Sequence, residues 1–77
     1  MDYAIVYRNE VLRVERGPKD RAIRAFLDSE EGRGLRGKKI RAIAVTLEHQ
    51  RRLAEIAIRE RRSPTVAELR AILRGRG

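Results

Sequence analysis

Apolar residues fall along this chain in three short strand-like runs and three helical ones. Tyr3–Tyr7 (YAIVY) is β-branched or aromatic at most positions of both parities, which predicts a strand covered on both faces. Arg8–Glu10 (RNE) reads as a tight turn. In Val11–Glu15 (VLRVE), Leu12 and Val14 alternate with Arg13 and Glu15, the pattern of an edge strand with one apolar side. The two runs together predict a hairpin. Gly17-Pro18 then stops the strand and opens a helix, with proline at the first helical position. On a 3.6-residue wheel Ala22, Ile23, Phe26 and Leu27 share one face, and Lys19, Asp20, Arg24 and Asp28 lie off it. An amphipathic helix is therefore expected from Pro18 to Ser29.

Glu30–Lys39 (EEGRGLRGKK) holds three glycines in a polar run and reads as a loop. Ile40–Leu47 (IRAIAVTL) is a third strand, with Ile43, Val45 and Leu47 on one face and Ile40, Ala42, Ala44 and Thr46 on the other. Both faces are apolar or small, which predicts a strand central in its sheet or packed at a dimer interface. Thr46 can cap the next helix, with Glu48 in its first turn. That helix is expected to reach Arg62. Leu53, Ile56 and Ala57 form its core stripe, Ala54 and Ile58 widen it, and Arg51, Arg52, Glu55 and Arg59 face away. So broad a stripe needs two neighbours: another helix and the sheet, or a second subunit.

The last helix has two overlapping start signals. Ser63-Pro64 is one, and the capping box Thr65-Val66-Ala67-Glu68 is the other. Val66, Leu69, Ile72 and Leu73 make its apolar face, Arg70 and Arg74 project elsewhere, and Gly75-Arg76-Gly77 ends it. The order ββαβαα predicts an α+β fold, a small sheet with three helices. One domain is expected over residues 1–77. Residues 1–37 supply the hairpin, first helix and Gly/Arg loop, and residues 38–77 a basic strand-helix-helix unit.

Length sharpens this picture. A 77-residue domain buries only about 60% of its unfolded surface, and with no cysteine it has no disulfide or thiolate site to staple it. A homodimer is the expected extra stabiliser. The opening MDYAIVYRNEV has too short an apolar run and no basic region for a signal peptide. No stretch approaches the roughly 20 apolar residues of a membrane span. A cytoplasmic protein with no membrane contact is expected, nucleoid-associated if it binds DNA.

Charge changes the picture most. The chain carries 19 Lys/Arg against 11 Asp/Glu, a net +8. Residues 1–38 hold nine basic and seven acidic side chains (+2), and residues 39–77 hold ten and four (+6). Only Lys19, Lys38 and Lys39 are lysines, so the basic groups are mostly the planar forks that suit phosphate and guanine. Proteins built for high temperature also carry many charges, but their ion-pair networks balance the signs. An excess of this size points to a polyanion, and nucleic acid is the first expectation. An acidic protein partner for a viral or accessory subunit is the alternative.

Candidate chemistry is thin. Gly32–Lys39 (GRGLRGKK) satisfies G-x-x-x-x-G-K, but Lys39 stands where a magnesium-holding Ser or Thr is needed, and the run precedes a strand instead of a helix. His49 has no second ligand of its kind beside it and reads as a surface or capping residue. Ser29 and Ser63 have no neighbouring base. Glu30 and Glu31 point about 100° apart on a helix. No catalytic residue, metal site or cofactor is expected. Tyr3 and Tyr7 share strand parity with Ile5 and could stack bases of a single-stranded RNA, although a core role explains them as well.

The run KKIRAIAVTLEHQRRLAEIAIRERRSPTVAELRAILRG (Lys38–Gly75) resembles the ribbon-helix-helix family of DNA-binding regulators, most closely in RRLAEIAIRERRS (Arg51–Ser63). The resemblance implies an intertwined dimer whose paired strands enter the major groove of duplex DNA. It places Ala42, Ala44 and Thr46 outward and Lys38, Lys39 and Arg41 at the strand entry. It also sets the helix start at Ser63, Thr65 and Val66 on phosphate. Alanines offer no donor to a base edge, so weak sequence reading is expected. The candidate nucleic-acid-binding residues are Lys38, Lys39, Arg41, Arg51, Arg52, Arg59, Arg61, Arg62, Ser63, Arg70 and Arg74.

Overall fold

A computed structural model describes residues 1–75; Arg76 and Gly77, in the Gly-Arg-Gly tail expected to end the last helix, lie outside the described residues. The fold is α+β. Its elements are β1 (Asp2–Tyr7), β2 (Glu10–Arg16), α1 (Lys19–Asp28), α2 (Glu30–Arg33), β3 (Ile40–Val45), α3 (Leu47–Glu60) and α4 (Val66–Leu73). The three strands form one antiparallel sheet in the order β2-β1-β3.

The sheet has a core on each face. Ala4, Val6, Val11, Val45, Leu53, Val66, Leu69 and Ile72 are buried together on the α3–α4 side, with Val14, Ile43 and Ile56 packed against them. Ile5, Ala22, Phe26 and Ala42 are buried on the α1 side, flanked by Tyr3, Leu12, Ile23, Leu27, Leu35 and Ile40. β1 therefore needs apolar residues at every position from Ala4 to Val6, as its sequence has.

Of the two positions expected for β3, central in its sheet or packed at a dimer interface, the first is corrected. β1 is central and β3 is an edge. Its faces are both apolar because helices cover the sheet on both sides, which is independent of whether the strand is flanked. The simple alternation expected of β2 is also corrected. The register jumps between Ile5, paired with Arg13, and Val6, paired with Val11. The extra residue is a β-bulge, and it sends Leu12 to the α1 core while Val11 and Val14 serve the other. One edge strand thus feeds both cores.

The expected loop after α1 begins with a helical turn. Ser29 caps α2 by accepting from the Gly32 amide (3.1 Å), and Glu30 and Glu31 sit in its first turn. Gly32 is buried where a Cβ would collide with the Phe26 carbonyl, so no other residue fits this crossing of backbones. α3 stops at Glu60 because Arg61 takes a left-handed conformation (φ 55°, ψ 42°) as its cap. Of the two possible starts for α4, Thr65 is the one used. Leu47 opens α3 instead of ending β3, and it is exposed, as are Ala54 and Ile58, which therefore do not widen the core stripe.

Candidate nucleic-acid interface

Strand pairing decides which basic residues meet. β1 ends at Tyr7, which pairs with Ile40 at the start of β3. Lys38 and Lys39 therefore extend past the sheet at the end where the β1–β2 turn carries Arg8. Arg41 pairs with Val6 one step inside, exposed on the edge strand. The same end receives the α3–α4 connector. The Val11 amide donates to the Pro64 carbonyl (2.8 Å) and the Val66 amide to the Asn9 carbonyl (3.0 Å). These bonds, with a single bridge between Glu10 and Thr65, hold the connector that follows Arg61 and Arg62 against the hairpin turn.

Arg8, Lys38, Lys39, Arg41 and Arg61 are exposed, and none forms an ion pair among the described residues. Arg8 holds a left-handed conformation (φ 55°) at the turn, and its guanidinium lies 5.4 Å from the Tyr7 ring centroid, within cation–π range. Gly37 (φ 83°) turns the chain into Lys38, whose amide donates to the Leu35 carbonyl (3.0 Å).

Other candidates have internal work. Arg62 is held by Glu68 in a two-point pair (Nη1 to Oε1 2.8 Å, Nη2 to Oε2 3.0 Å) and also donates to the Ser63 carbonyl (3.1 Å). The Glu68 carboxylate additionally accepts from the Thr65 amide (2.8 Å) and hydroxyl (3.1 Å), and the Glu68 amide donates to Thr65 Oγ1 (3.1 Å). The Arg62 bonds, then the Thr65 amide, hold the Glu68 carboxyl down at about 2, and Glu68 in turn raises Arg62. The α4 start thus already carries a carboxylate, and its Val66, Thr65 and Glu68 amides are occupied.

On α3, Arg51 and Arg52 share Glu48 (3.7 and 3.6 Å), and Arg59 pairs with Glu60 (3.1 Å). Arg70 and Arg74 are exposed on or just after α4. Ala42 is buried under α1, so of the three outward strand positions implied by the ribbon resemblance, Ala44 and Thr46 reach solvent. Thr46 caps α3, accepting from the His49 amide (3.2 Å), and His49 Nδ1 accepts from the Thr46 amide (3.1 Å). His49 is thus a capping residue, with histidine in the place usually held by Glu or Gln.

Sequence reasoning missed Arg8. It was legible only as part of a turn, and its nearness to Lys38 and Lys39 depends on β3 pairing with β1. Among the described residues no group of three or more His, Asp or Glu side chains could hold a metal ion. No described helix is long and apolar enough to cross a membrane. Comparison with protein-family models, with curated proteins and with solved structures finds no match to this chain.

Proposed function

We propose that this protein is a small non-catalytic binder of duplex nucleic acid, duplex DNA foremost, held mainly by contacts to phosphate. The observation that carries this reading is the basic end of the sheet, where Arg8, Lys38, Lys39, Arg41 and Arg61 have no acidic partner among the described residues, in a chain of net +8. Charges left without acidic partners keep their full attraction for a polyanion and release its counterions on binding. Arg62 and Ser63 support this basic end by fixing the connector that follows Arg61. Phosphate contacts position a protein without reading sequence, so a role in transcription regulation would rest on shape or on partners.

Duplex is favoured over single strands because Tyr3 packs in the α1 core, which leaves Tyr7 alone on that face as a partner for a base and no stacking platform of two aromatics. The test is a fluorescence titration at about 50 mM salt of a labelled 20-base-pair DNA duplex, its single strand, and an acidic polypeptide of equal charge. Micromolar or tighter binding that prefers the duplex is expected. Absence of duplex binding would refute the reading, and preference for the polypeptide would move the protein to the acidic-partner class.

A further inference from the structure

The outer face of α3 carries Leu47, Ala54 and Ile58, with Arg51 among them, and no described residue covers it. Leu47 and Ile58 are 77% and 78% exposed, and Ala54 lies between them on the same side. Their spacing of seven and four residues is the repeat of a helix that packs along another helix. This face borders an open groove of about 480 Å³ between β2 and α3, whose walls include Val11, Leu12, Val14, Leu53, Ala54 and Ala57.

Charge says which partner. In a protein of net +8, α3 is formally neutral: Glu48, Glu55 and Glu60 match Arg51, Arg52 and Arg59. This is a face on which two strongly basic chains can approach each other. Register sharpens the match. When α3 packs antiparallel on a second α3 with Leu47 against the partner's Ile58, Arg51 falls beside the partner's Glu55. Twofold symmetry makes each contact twice. A parallel pairing would set Arg51 on its own copy. The small Ala54 lies near the middle and lets the backbones come close.

We infer that this face is a homodimer interface, α3 against α3 in antiparallel register. The 14 residues of α3 give a contact about 21 Å long. With the flanking grooves the buried area is on the order of 1,000 Å², the low end for specific association, so a micromolar dimer is expected. The dimer does not depend on nucleic acid, and its test is made on protein alone.

Sedimentation velocity across about 5–200 µM should show a reversible dimer. Ile58→Glu and Leu47→Gln replace exposed side chains, so the monomer should stay folded by circular dichroism while dimerisation weakens at least about tenfold, as loss of a buried aliphatic contact requires. Arg51→Glu and Glu55→Arg should each weaken it and the double exchange should restore it, with the helix content of all three variants unchanged by circular dichroism, because the same two residues are also i, i+4 neighbours within one helix. A monomer at about 200 µM would overturn the inference. So would a dimer indifferent to Ile58→Glu, which would assign association to another surface such as the free edge of β3.

Discussion

Replacing Glu68 with alanine removes a carboxylate that accepts from the Thr65 amide and hydroxyl and from both terminal nitrogens of Arg62. The Thr65 amide then has no partner at the start of α4, and the connector loses its brace. Loss of a capping interaction costs about 1 kcal/mol, and the part-exposed ion pair adds little beyond it, for about 1.5 kcal/mol in all. In a domain of this size that is a fall of about 6–12 °C in Tm, read by thermal denaturation at pH 7. Glu68→Gln keeps an acceptor for the amide and should lose less than half as much. The ionised carboxylate is what the fold stabilises. Its folded value of about 2 lies below the ordinary 4.5, so its contribution is complete above pH 4.5 and fades as pH falls through about 2. The gap between wild type and Glu68→Gln should therefore stay constant from pH 6 to about pH 4.5 and narrow from there toward pH 2. A Glu68→Ala Tm within about 2 °C of wild type, or a gap that does not narrow in acid, would refute the brace.

Arg61→Gly should raise Tm by several degrees, since glycine takes the left-handed cap without the Cβ strain of about 1 kcal/mol, while weakening duplex binding; a lowered Tm would show that the Arg61 side chain stabilises the fold. Gly32→Ala forces a methyl group against the Phe26 carbonyl and should cost about 2–3 kcal/mol or more in a urea titration; a near-neutral result would mean that α2 can shift away from α1.

The elements were legible because their periods differ. Leu53, Ile56 and Ala57 repeat as a helix does, Tyr3–Tyr7 as a strand does, and Thr65 with Glu68 marks a start that the fold uses. What was hidden lies between elements. The strand order depends on which segments pair across the chain, and apolar faces on β3 report helices above and below it, not strands beside it. The bulge at Leu12 was invisible because an inserted residue leaves local composition unchanged. On α3, Ala54 and Ile58 look like core on a helical wheel, and only the placement of the sheet shows that they face outward. The candidate interface divided for the same reason. Sequence ranks all the arginines alike, whereas contacts give Glu68 to Arg62 and Glu48 to Arg51 and Arg52, and leave Lys38, Lys39, Arg41 and Arg61 with none among the described residues.

Binding through the basic end of the sheet is measured most directly by the salt dependence of duplex affinity. Five cations neutralising five phosphates give a slope of log K against log salt of about −4.5, a loss of roughly 500-fold between about 50 and 200 mM. Lys38→Gln/Lys39→Gln/Arg41→Gln should reduce the slope to about −1.8 and the loss to roughly 12-fold. Lys19→Gln/Arg21→Gln/Arg24→Gln removes the same charge from α1 and should leave the slope near the wild-type value. Equal slopes for the two triple variants would contradict a localised interface and leave only net charge to account for binding.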